Sequence, residues 1–313
     1  VKTKNCFYSR KKEDYRMADV PFVLSTESVA DMTVEKFASI GVEFVPFHFS
    51  LNGKEYSDDC FHSLSAHDFY TEMGKGEMTR TSQVSVGEYV AFFEKFLKEG
   101  KDILHLSLSS GLSGTYQSAH TALGLLKDKY PERKILLVDT LGASTGIGLQ
   151  LDTLSRMRAD GKSIEECYKF EEENKLNLNH VFFSTDLEYY VRGGRITKAE
   201  GFWGKTFHVC PLLDMNDAGK LIPRSKCITA KMAEFAMVKK VETLIRDGLE
   251  YADKIFMCQS DCLKLARPVA DSIEKKFHKL MGKVEIYSVG PTIGSHTGPG
   301  TVSIFFWGQK RGE

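Results

Sequence analysis

In the first 140 residues, short aliphatic runs alternate with stretches whose apolar positions recur every three or four places, and this alternation leaves few folds open. Strands and helices that follow one another in this way bury their apolar faces by building a mostly parallel sheet with helices laid on it. FVLS at 22–25 reads as the first strand, and Thr33 caps a short helix that stops at Gly41. VEFVPFHFS at 42–50 reads as the next strand. Ser85 and Glu88 have the spacing of a capping box, and Tyr89, Phe92, Phe93, Phe96 and Leu97 then line one helical face as far as Gly100. ILHLSL at 103–108, a helix striped by Ala119, Leu123, Leu126 and Tyr130, and ILLV at 135–138 make a βαβ unit.

A second capping-box pair, Ser163 and Glu166, opens a charged helix near 164–176, after which NLNHVFFST begins a new strand. The expected fold is therefore α/β in two domains divided near residue 178. Residues 17–178 form an N-terminal domain with a mostly parallel sheet flanked by helices. Residues 179–313 form a smaller C-terminal α/β domain, with helices near 230–246 and 264–279 and strands at 255–258, 284–287 and 302–307. No repeat or long linker intervenes, so the halves are expected to share a substantial interface. The polar stretch 1–16 reads as a disordered extension ahead of Met17, without the apolar core of a signal peptide.

Lys plus Arg equals Asp plus Glu, 42 each, so no net field draws the chain to nucleic acid or to an anionic bilayer. The longest apolar runs, such as 181–183 and 304–307, fall far below the roughly 18 residues of a membrane span, so any membrane contact is transient. Seven scattered cysteines without a CxxC pair fit a reduced, cytoplasmic setting. The nine histidines offer no metal-ligand spacing, so neither a metal nor a cofactor is expected.

The candidate chemistry lies in glycine-rich turns. LSSGLSG at 108–114 follows a strand and precedes a helix, which puts backbone N–H groups and hydroxyls where an anion binds well. A plain helix cap uses the same residues. The strict nucleophile elbow G-x-S-x-G fails, because Gly114 follows Ser113 one place too early; a hydrolase pairing Ser113 with His296 stays open as the alternative function. GASTGIG at 142–148 does not match G-x-G-x-x-G and no Walker lysine occurs, so the glycines read as close helix–strand packing rather than a nucleotide site. Thr81, Ser82 and Gln83 suit a turn before the capped helix. GPTIGSHTGPG at 290–300 predicts an unusual loop carrying His296. Arg192, Arg195 and Lys198 surround a glycine turn that is either a solvated surface or a docking point for phosphate or an acidic partner.

Seven segments, TESVADMT (26–33), YSDD (56–59), RTSQVS (80–85), LSSGLSGTYQSA (108–119), VDTLGASTGIG (138–148), YYVRGGRI (189–196) and SHTGPGT (295–301), occur in the order of the motifs of the DegV family. The chain resembles these bacterial fatty-acid-binding proteins from about Phe22 to its final strand. The resemblance implies a long-chain fatty acid held in a tunnel between two α/β domains, its carboxylate bound by Thr81, Ser113 and His296 with Ser110 nearby. An acyl chain of roughly 16 carbons gains on the order of 0.8 kcal/mol per buried CH₂, so the tunnel provides the affinity. The resemblance further implies a lipid-binding protein, not itself an enzyme, that presents the carboxylate to a separate ATP-dependent fatty-acid kinase subunit for conversion to acyl phosphate. Arg195, with Arg192 beside it, would meet that partner or the new phosphate. The chain departs from the family at Glu27 and Val29, which stand in its D-S-T-A-D motif, and at Ile228 and Thr229, where arginine and glycine are common.

Overall fold

The computed structural model describes residues 21–197 and 209–312; the stretch read as an extension, residues 1–16, and Lys198 lie outside the described residues. Strand β1 (Phe22–Glu27) is buried along its whole length, as a central parallel strand covered on both faces must be. It is flanked by β2 (Val42–Val45) and β6 (Asp102–Ser107), and β7 (Ile135–Asp139) completes an all-parallel sheet in the order β2-β1-β6-β7. The strand expected over 42–50 is two strands. Pro46 lacks an amide hydrogen and ends β2, and the chain leaves as β3 (His48–Leu51) for a separate antiparallel sheet with β4 (Lys54–Ser57) and β5 (Arg80–Ser82).

Helix α1 (Val34–Ser39) starts at Thr33, whose hydroxyl accepts from the Lys36 N–H, and α2 (Ala66–Gly74) starts at Ser65 in the same way. The capping boxes expected at Ser85 and Ser163 are both formed and open α3 (Val86–Lys98) and α6 (Ile164–Asn174). Helix α4 (Thr115–Lys127) follows the serine-glycine turn and packs on α3, β6 and β7. Helix α5 (Thr145–Ala159) has 12 of its 15 residues buried, because it packs on β1 of the parallel sheet and also on strands of a second sheet. Its glycines are packing residues: a Cβ on Gly146 would lie 2.4 Å from His180 Nε2, and one on Gly148 would lie 3.0 Å from the Met32 side chain.

The second sheet contains β8 (Leu178–Ser184), β9 (Leu212–Met215), β10 (Leu221–Ser225), β11 (Phe256–Gln259), β12 (Glu285–Ser288) and β13 (Thr301–Trp307), in the order β10-β9-β8-β13-β11-β12. Only the β11–β12 pair is parallel. Helices α7 (Glu188–Arg192), α8 (Ala230–Leu244) and α9 (Leu263–Lys276) join its strands. The expected α/β architecture is present, with an additional three-stranded side sheet. The segment 290–300, expected to be a loop, contains helix α10 (Pro291–Thr297). Pro291 occupies its first turn, where a missing N–H costs nothing, and Gly294 lets the helix lie against Tyr70, whose hydroxyl would be 2.4 Å from a Cβ there.

Candidate functional site

A cavity of about 310 Å³ lies where the serine-glycine turn, the side sheet, α10 and the second sheet meet. Its deep wall is buried and largely apolar, with Leu108, Phe182, Met215 and Phe305 among its side chains. Its more accessible end is polar and is formed by Thr81 on β5, Ser113, Gln83, His296 on α10 and Arg195 after α7.

Three of these polar groups form a chain. His296 Nε2 lies 2.8 Å from Thr81 Oγ1, and His296 Nδ1 lies 3.3 Å from Arg195 Nη1. A guanidinium only donates, so Nδ1 is the acceptor and the imidazole hydrogen resides on Nε2. Nε2–H therefore donates to Thr81 Oγ1, leaving the threonine hydroxyl hydrogen free to donate into the cavity. Burial, and next the positive charge of Arg195, push the His296 pKa down to about 3, so the ring is neutral near pH 7. The charge at this end of the cavity is that of Arg195. Its Nη1 also donates to the Gly193 carbonyl at 2.6 Å, burial lowers its pKa, and among the described residues no carboxylate lies within ion-pair distance of it. A half-buried cation beside two hydroxyls and an apolar chamber suits a carboxylate with a long apolar tail.

The serine-glycine turn is held from beneath. Glu27, fully buried, accepts from the Leu108 N–H at 3.0 Å and from Ser107 Oγ at 2.7 Å, and it also meets His105 and Tyr89. Burial pushes its pKa up, but the hydrogen bond and charge of His105, then Tyr89 and Ser107, outweigh this and hold it below the ordinary value. Ser109 is buried and donates to the Gly219 carbonyl, tying the turn to the β9–β10 connection. Gly111 fits against that connection because a Cβ would meet the Ala218 and Gly219 carbonyl oxygens at 2.6 and 2.8 Å.

Thr81, Ser113, His296 and Arg195, singled out in the sequence, therefore line one cavity. Ser110 does not: it is exposed, and its N–H donates to Asp139 Oδ1 at 3.1 Å. Arg192 is also exposed, with its guanidinium over the Tyr189 ring and 3.4 Å from Met78 Sδ. Thr81 sits on a strand rather than in a turn. Ser113 Oγ accepts from the Thr115 N–H at 3.2 Å, and both ring nitrogens of His296 are engaged elsewhere, so His296 does not address Ser113 as a base. Two further contributors line the cavity, Gln83, which the sequence reading gave only a turn role, and His180, which it did not single out. Gln83 donates to Ser118 Oγ at 2.9 Å and packs against Gly114, while His180 accepts from the Ala143 N–H at the buried end. Burial, and then the charge of Arg311, hold His180 neutral.

A chamber walled by strands of the side sheet and the second sheet, by α10 and by the loops that follow β6 and β7, apolar in its depth and polar at one end, defines a class: α/β proteins with an enclosed amphipathic cavity. Within that class the chain belongs to the DegV family, since the model described as "Uncharacterised protein, DegV family COG1307" matches residues 21–309. A DegV domain-containing protein of Clostridium perfringens is 36% identical over 290 residues, covering 93% of this chain and 98% of that one. A Thermotoga maritima structure described as revealing a fatty-acid-binding function is 26% identical, with TM-score 0.77 over 91% of this chain and 98% of its own. The Fatty Acid Kinase B3 protein of Streptococcus pneumoniae, solved with linoleic acid, shares the fold at TM-score 0.79 and 18% identity, over 92% of this chain and 99% of its own.

Proposed function

We propose that this protein binds a long-chain fatty acid in the cavity and presents its carboxylate to a separate ATP-dependent kinase that makes the acyl phosphate. The observation that carries the reading is the polar chain Thr81, His296 and Arg195 at one end of an apolar chamber, with the charge of Arg195 unmatched among the described residues. Thr81, Ser113 and Arg195 would donate to the carboxylate, and the neutral His296 would fix the direction of the Thr81 hydroxyl. The acyl tail would run between a unit of residues 17–178 and a unit of residues 179–313. Fatty-acid binding in the Thermotoga relative supports the ligand, and the kinase-system relative of Streptococcus supports the partner. The protein would act in the cytoplasm, in keeping with the six free cysteines among the described residues. In those residues no helix is long and apolar enough to cross a membrane, and no cluster of three or more His, Cys, Asp or Glu residues is set to hold a metal.

Native mass spectrometry of the protein from a heterologous host, followed by organic extraction, tests the ligand. A one-to-one complex with a fatty acid is expected. Protein that arrives empty and takes up no added fatty acid refutes the proposal. Transfer of labelled phosphate from ATP, with the source organism's kinase, tests presentation: label should enter the bound lipid only when both proteins are present.

A further inference from the structure

A second cavity, of about 210 Å³, lies behind the first, and His180 and Met215 stand in the walls of both. It is bounded by β9, β10, Lys240 and Leu244 of α8, and residues 310–312. Its charged lining is one-sided: Arg224, Lys240, Lys310 and Arg311 surround a single lining carboxylate, Asp214. That carboxylate is already shared, with Arg224 Nε at 2.6 Å and Lys240 Nζ at 3.6 Å.

Arg311 is the telling member. It is only 7% exposed, its Nη1 and Nη2 donate to the Asn216 and Leu141 carbonyls, and its buried Nε–H has no acceptor among the described residues. Asp214 and Asp217 act on it only at longer range, and among the described residues no carboxylate comes within ion-pair distance. A buried guanidinium with an unspent donor and no counter-ion is costly, and an anion entering the cavity removes that cost. Several cations converging from different elements match an oxyanion that carries more than one negative charge and offers several acceptor oxygens.

We infer that this second cavity binds a small oxyanion of the phosphate class, either free or as the phosphate group of a lipid. The site is separate from the polar end of the acyl cavity and does not depend on the proposed function.

Isothermal titration calorimetry of the full chain with inorganic phosphate, against sodium chloride at equal ionic strength, tests it. Saturable one-site binding is expected, weakened about tenfold or more in Arg224→Gln and Lys240→Gln. These variants change partly exposed side chains, so circular dichroism should show them folded even if Arg311→Gln is not. Glu313→Gln is titrated in parallel as a control for the carboxylate that follows Gly312 in the sequence. A second arm measures flotation with phosphatidylcholine vesicles with and without phosphatidic acid. Phosphate binding without flotation identifies the free ion, and flotation that needs phosphatidic acid and both cations identifies the lipid headgroup. No saturable phosphate binding in either the wild type or Glu313→Gln, together with no such flotation, overturns the inference. So does affinity unchanged by both cation substitutions.

Discussion

Replacing Thr81 with valine keeps the shape of the side chain and removes one hydroxyl, and that hydroxyl has two roles. It accepts from His296 Nε2–H at 2.8 Å, and under the proposed function its own hydrogen would be donated to the fatty-acid carboxylate. A hydrogen bond to a charged group contributes about 1.5–3 kcal/mol, so Thr81→Val should weaken fatty-acid binding by roughly 10- to 150-fold. In the empty protein the largely buried Nε2–H loses its acceptor, which costs about 1–3 kcal/mol and should lower Tm by a few degrees. Titration calorimetry on delipidated protein reads the first effect and scanning calorimetry the second. Thr81→Ser should recover most of both. A Thr81→Val protein with lowered Tm and unchanged Kd would show that Thr81 only supports His296 and would refute a direct contact with the carboxylate.

The His296 pKa, held at about 3 against an ordinary 6.5, means that below about pH 6.5 the unfolded chain takes up a proton the folded protein refuses. Stability should therefore fall with acidification by about 1.4 kcal/mol per pH unit from this group, and urea unfolding of His296→Gln between pH 7.5 and 5 should show a flatter slope. Parallel slopes would contradict the assignment. Glu171 on α6 has the opposite sign: both its carboxyl oxygens are buried without a hydrogen-bond partner among the described residues, and burial pushes its pKa up to about 8. Its unfavourable contribution grows from its ordinary value near 4.5 up to about pH 8, so Glu171→Met should gain stability over the wild type as pH rises through that window, and denaturation at pH 5 and 8 checks this. Gly111→Ala would drive a methyl into the Ala218 and Gly219 carbonyls, so Tm should drop and the displaced Ser113 should weaken lipid binding; wild-type values for both would show that the turn adapts freely.

The features legible in the sequence were those set by neighbouring residues. Ser85 with Glu88 and Ser163 with Glu166 announce their helices because a capping box needs only four residues. The parallel sheet followed from strand-like runs alternating with amphipathic helical segments, and in the structure β1 is buried along its whole length, as such a strand should be. Pro46 was present in the sequence, yet the departure of β3 into another sheet depends on pairing with β5 some 30 residues on. Helix α10 was hidden because its glycines signal a loop, whereas Gly294 answers to Tyr70, distant in sequence. Among the site residues, Thr81, Ser113 and His296 stood in recognisable segments. The role of Arg195 depends on a contact with His296 across 101 residues, and the difference between Ser110 and Ser113 depends on which way a turn faces. No local pattern encodes either.

Strand β13 lies beside β8 at the centre of the six-stranded sheet, and their paired residues Thr301 and Ser184 are 117 positions apart. Closing a loop of that size costs about 4 kcal/mol of chain entropy before any contact repays it. Until residues 301–307 arrive, β8 and β11 have no strand between them, α5 has no β13 to cover it, and Phe305 is missing from the cavity wall. The chamber is thus completed only after the long-range pairing of β13 with β8. A chain still emerging from the ribosome can complete the strands of the parallel sheet while the chamber has no β13 wall, so any molecule held there would assist only a late, slow step of folding.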